Sequence, residues 1–120
     1  LSLPKINRLP RRDFDLVYRQ SRRYFGKYFN LRVLFENVDA VAGKPYPPQF
    51  GVVAGKKVDK RAVGRNLVKR RARAAIRSLL PICKGGCRTI VLARSDVATC
   101  EYDEILRELE ELLRAAEVIG

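Results

Sequence analysis

Apolar positions recur along this chain with two different periods. Phe14, Val17 and Tyr18 stand at i, i+3 and i+4, which predicts a short helix over Leu9–Tyr18 with Pro10 in its first turn. Leu31, Val33 and Phe35 alternate with Arg32, Leu34 and Glu36, the period of a half-buried strand broken only by Leu34. Phe50–Ala54 and Thr89–Ala93 are short apolar runs rich in β-formers and predict buried strands, and a further short strand is expected around Arg22–Phe25. Between them, Asn37–Pro48 carries Gly43, Pro45, Pro47 and Pro48 and predicts a loop. A long helix is expected over Ala62–Leu80, stopped by Pro81, with Val68, Ala72, Ala75, Ile76 and Leu79 gathered on its core face. Thr99 is placed to cap a last helix whose apolar stripe is Tyr102, Ile105, Leu106, Leu109, Leu112, Leu113 and Ala116. The order α-β-β-β-α-β-α describes one α+β domain over residues 1–120, a two-layer sandwich of helices on a sheet.

Composition narrows the function classes. The longest apolar run, Ile90–Ala93, is too short for a transmembrane helix or a signal-peptide core, and the expectation is a cytoplasmic protein without a membrane partner. Cys83, Cys87 and Cys100 are an odd number, which suits packed, reduced thiols better than a disulfide framework. A zinc site at Cys83 and Cys87 would need carboxylates to complete it, because the chain has no His. The same lack removes Ser-His and Cys-His catalysis.

Charge changes the picture most. The chain carries a formal net charge of +12, and its densest stretch, Lys56–Arg77, holds ten basic side chains against Asp59 alone. Surplus charge kept for solubility is spread out, whereas a packed block suits counterion release from a polyphosphate. On the predicted helix, Asn66, Arg70, Arg73 and Arg77 lie opposite the core face, with Lys69 and Arg71 on its flanks. Arg65 falls on the core side by angle but lies in the first turn, where it can point past the packed layer. Like charges at these spacings repel, and guanidinium forks pair bidentately with phosphate, so the pattern points to a nucleic acid.

Ala62-Val63-Gly64-Arg65-Asn66-Leu67-Val68-Lys69-Arg70-Arg71-Ala72-Arg73 resembles the signature A-V-x-R-N-R-x-K-R-x-x-R of the protein subunit of bacterial ribonuclease P. The strand Phe50–Ala54 leading to Lys56-Lys57, the segment Arg12-Asp13-Phe14 with Val17-Tyr18, and Thr89–Arg94 match the same family, so the resemblance runs from about Leu9 to the final helix. Three departures stand out: Leu67 replaces the second arginine of the triplet, Lys57–Ala62 is one residue longer, and Arg88 replaces an acidic residue before the last strand.

The resemblance implies a mixed central sheet with a left-handed βαβ crossover, and a protein that assists rather than performs the chemistry. The catalytic RNA, with bound Mg²⁺, would hydrolyse precursor tRNA to leave the mature 5′ end. Carried onto this chain, Lys60, Arg61, Arg65, Asn66, Lys69, Arg70, Arg73 and Arg77 would hold the RNA subunit. Phe14, Tyr18, Phe35, Lys56 and Lys57 would line the path of the 5′ leader. No catalytic or metal-ligating protein residue is expected. The three aromatics serve either as plain core or as stacking platforms, and exposure decides between these roles. A ribosomal or other structural RNA binder shares the composition but needs no aromatic cleft beside the basic helix. DNA binding by helix-turn-helix fits poorly, because strands flank the basic helix, and an autonomous metal nuclease would leave Asp13, Asp15 and Asp59 without company.

Overall fold

In the computed structural model, residues 3–36 and 46–120 are described, so most of the predicted loop Asn37–Pro48 lies outside them. Arg11–Asp13 form a 3₁₀ turn that runs into α1, Phe14–Gln20. The regular helix therefore starts four residues after Pro10, whose extended backbone leads into the tighter turn closed by the Asp13 N–H on the Pro10 carbonyl. The strands are β1 Arg22–Phe25, β2 Phe29–Phe35, β3 Gln49–Val53 and β4 Cys87–Ala93, and the long helices are α2, Ala62–Leu79, and α3, Tyr102–Ala115. Pro81 ends α2 as expected, inside a following 3₁₀ turn at Leu80–Ile82.

The sheet order is β1-β2-β4-β3, antiparallel except where β3 and β4 run parallel with α2 between them. One face carries Phe29, Leu31, Val33, Phe50 and Val91 into the main core. There they meet Val68, Ala72, Ala75, Ile76 and Leu79 of α2, the five residues the helical period selects, together with Ile105, Leu109 and Leu113 of α3. Burying each Val, Leu, Ile or Phe among them contributes about 1.5–3 kcal/mol against leaving it in water. The opposite face carries Ile90, with Leu34, Val53 and Leu92, against Leu9 and Val17. The two-layer sandwich of sheet with α2 and α3 thus gains a short extra layer, α1, on its reverse.

Thr99 does not cap α3. It ends a 3₁₀ turn, where its hydroxyl donates to the Asp96 carbonyl at 3.4 Å, and extended backbone at Cys100 and Glu101 separates it from the helix. Asp103 and Glu104 still place negative charge in the first turn of α3, where the helix dipole favours it. Glu108 has a role that its helical pattern alone does not disclose. Its carboxylate accepts the backbone N–H groups of Lys27, Tyr28 and Phe29 at 2.8, 2.7 and 2.8 Å, and so fastens the β1–β2 turn to α3.

Candidate nucleic-acid interface

Residues paired across neighbouring strands point to the same face. Register therefore defines two rows on the α1 face of the sheet. The first is Arg23, Arg32, Ile90 and Gly51, taken from β1 through β2 and β4 to β3. The second, one pleat along, is Phe25, Asn30, Leu92 and Val53.

Helix α1 stands over the first row. At one end the Phe14 ring lies on Gly51, where any Cβ would overlap it. In the middle Val17 packs with Ile90. At the other end the Arg32 guanidinium lies 5.2 Å from the centre of the Tyr18 ring and donates to the Tyr18 carbonyl at 3.1 Å. Phe14 and Tyr18 are half-buried, each with one part in the small core and the rest open to solvent. Phe14, and Val53 of the second row, line a groove beside α1 with Arg11, Ala54 and Lys69, and Leu92 packs on the same small core.

The β3 end of this groove is cationic. A cavity of about 500 Å³ joins Arg8, Arg11, Phe14 and Gly51 to Lys69 and Arg73 of α2, passing over the edge of β3. Lys69 and Arg73 therefore face the aromatic groove, although in sequence they lie more than fifty residues from Phe14. Arg8 and Arg11 belong to the same cluster. Sequence reasoning did not select them, and its one signal was the basic excess of the N-terminal segment.

The other basic residues divide between two places. Lys56, Lys57, Lys60 and Arg61 are exposed on the connection from β3 to α2. That connection is held by Asp59, which accepts the Arg61 N–H at 2.9 Å and is kept below the ordinary carboxylate range mainly by that bond. Its carboxylate lies against Gly64, leaving no room there for a side chain. Arg65 does point past the packed layer, curling back to donate to the carbonyls of Asp59 and Lys60 at 3.0 and 2.8 Å. Asn66, Arg70 and Arg77 are exposed on α2. Arg70 borders a separate apolar recess of about 350 Å³ with Leu67, Arg71, Ala74 and Tyr102, so the basic helix presents two surfaces.

Phe35 is not brought to the other two rings. It pairs with Cys87, whose side chain enters the main core, and so lies on the reverse face from Phe14 and Tyr18, 46% exposed beside Arg22 and Glu117. Arg88 lies on the α1 face, where it meets Glu36 at 3.2 Å and Asp13 at 3.9 Å. All three cysteines are free; burial pushes the Cys83 thiol up to about 11 and the Cys87 thiol up to about 12.

Comparison with known proteins fits this arrangement. The Ribonuclease P family model matches residues 3–117. The chain belongs to the ribonuclease P family. The ribonuclease P protein component of Rippkaea orientalis is 41% identical over 120 residues, covering 99% of this chain and 93% of that one. That of Microcystis aeruginosa is 42% identical, covering 99% and 98%. Among solved structures, the Staphylococcus aureus RNase P protein superposes with a TM-score of 0.78 at 23% identity, covering 97% of this chain and 100% of that one. The Thermotoga maritima RNase P protein gives 0.75 at 23%, covering 90% and 96%. At that identity the structural likeness speaks for the fold. Family membership makes this chain the protein part of a ribonucleoprotein endonuclease of tRNA processing, with RNA as its partner. No helix among the described residues is long and apolar enough to cross a membrane.

Proposed function

We propose that this protein binds the catalytic RNA of ribonuclease P through α2 and guides the single-stranded 5′ leader of precursor tRNA along the groove beside α1. The observation that carries this reading is the meeting of Phe14 with Arg8, Arg11, Lys69 and Arg73 in one groove. Unpaired bases stack on aromatic faces whatever their sequence, and guanidinium and ammonium groups take the phosphates between them. A leader varies in sequence, so a groove of this kind suits it. The outer surface of α2, with Asn66, Arg70 and Arg77, and the exposed Lys60 and Arg61 suit structured RNA, which is read largely by shape and phosphate position.

Hydrolysis belongs, in this reading, to the RNA and the Mg²⁺ it binds in the cytoplasm. Mg²⁺ requires hard oxygen ligands in near-octahedral array. The carboxylates nearest the groove are engaged with cations, Asp13 near Arg88 and Asp15 with Arg19, and no three candidate ligands converge among the described residues. The protein's own side chains do not fit the ion. What the chain supplies is position, which holds the cleavage point relative to the RNA.

The test is cleavage of precursor tRNA at low millimolar Mg²⁺ by a bacterial ribonuclease P RNA, with and without this protein. Strong stimulation that depends on the leader is expected. Tight RNA binding without stimulation would make the protein a structural RNA binder, and cleavage by the protein alone would overturn the division of labour.

A further inference from the structure

Beyond Val53, which lines the groove, the second row continues across the sheet. The row Val53, Leu92, Asn30, Phe25 crosses all four strands and finishes at the outer strand β1. Three strand spacings separate its ends, about 14 Å. Val53 and Leu92 are partly buried against the α1 cluster, whereas Phe25 at the far end is 70% exposed. Single exposed apolar side chains are common on protein surfaces and alone imply little. Phe25 differs because of what surrounds it. Arg23 shares its face on the same strand, and Asn30 sits opposite it. Arg94 anchors that corner by donating to the Gly26 carbonyl at 3.0 Å. Neither row on this face contains an acidic residue.

We propose that Phe25 is a distal stacking site for an unpaired nucleobase of the leader, with Arg23 beside it for the neighbouring phosphate. This deepens the leader reading and rests on it. A strand entering at the cationic β3 end passes the Phe14 and Tyr18 rings, crosses β4 and β2, and meets the exposed ring at β1. The groove then has aromatic faces at both ends, and its occupancy depends on how much leader is present. Leaders too short to reach β1 gain nothing from Phe25, and sufficiently long ones gain one stacking contact.

The experiment measures binding of precursor tRNAs, with leaders lengthened one nucleotide at a time, to the full chain assembled with a bacterial ribonuclease P RNA. Phe25→Ala should weaken binding about tenfold for leaders beyond a threshold length, and leave shorter leaders and mature tRNA unaffected. Phe25→Tyr, which keeps the aromatic face, should retain the gain. Because the ring is exposed on an outer strand, neither substitution removes core packing. Equal loss at every length, or no loss at any, overturns the proposal for Phe25 while the groove itself stands. If the unsubstituted protein shows no preference for a leader over mature tRNA, the leader reading falls and Phe25 with it.

Discussion

The ring of Phe14 lies against the backbone of Gly51, with no room between them for even one methyl group. This contact sets how closely α1 approaches the sheet, and so the width of the groove that Phe14 walls. Overfilling a packed contact typically costs about 1–3 kcal/mol. Gly51→Ala should lower stability by that amount in urea titration, and should weaken precursor tRNA binding more than mature tRNA binding. An unchanged precursor preference would mean that the ring's position is irrelevant to the leader.

Lys69 and Arg73 face the groove, whereas Arg70 lies on the outer surface of α2. Arg70→Ala should lower affinity for the partner RNA and flatten the dependence of log K on log salt by about one ion equivalent, whereas Arg73→Ala should do the same for binding of the precursor leader. Titration at several salt concentrations reads this directly, and an unaltered slope would remove that helix from the interface.

Phe14→Ala should reduce precursor tRNA affinity about tenfold and leave mature tRNA affinity unchanged, as loss of one stacking face requires. Because the ring also packs in the small core, urea titration should accompany the binding measurement. Equal weakening for both RNAs assigns Phe14 to the core alone.

Glu108→Ala leaves three amide N–H groups without their carboxylate acceptor. Hydrogen bonds to a charged acceptor contribute about 1.5–3 kcal/mol each at most, and solvent can replace part of them at this half-exposed turn. A loss of roughly 2–3 kcal/mol is expected, with faster hydrogen exchange at Lys27–Phe29. Unchanged exchange there would show that the turn holds itself.

Burial raises the thiols of Cys83 and Cys87 to about 11 and about 12 from an ordinary value of 9.0. Both remain largely protonated in the folded chain at pH 9–10 while the unfolded chain ionises, so stability is full below pH 9 and falls as pH rises toward 12. Urea midpoints measured from pH 8 to 11 should decline. Replacing both cysteines with alanine should flatten the part of that decline the thiols cause. Iodoacetamide should label the native protein slowly at neutral pH and the denatured protein fast.

Periodicity made much of this fold legible. The five core residues of α2 follow from a rotation of 100° per residue, and the apolar stripe of α3 from the same rule. Periodicity says that a stripe is buried, not against which side of a sheet. Hence Phe35, correctly grouped with Leu31 and Val33, could not be assigned to the face away from α1 until the strand partners were known. The cationic cluster was hidden for a related reason. Arg8 and Arg11 reach Lys69 and Arg73 only because β3 runs between α1 and α2, a long-range arrangement that leaves no local spacing. Glu108 lies outside the apolar stripe of α3, and nothing near it in sequence announces the three amide N–H groups it accepts. Thr99 was a sound cap by residue type, displaced by two extended residues that no cap preference specifies.

Strand order also carries a consequence for synthesis. The β4 segment, Cys87–Ala93, is the last strand to be made and lies between β2 and β3, pairing with both. While a ribosome is still making the first three strands, β3 has no neighbour in the sheet and the basic helix has no completed layer to pack on. The arginine-rich stretch therefore leaves the exit tunnel before its core face has a home, beside ribosomal RNA that is itself a polyanion. Only with this final strand in place is the sheet continuous and the packing surface beneath the basic helix complete.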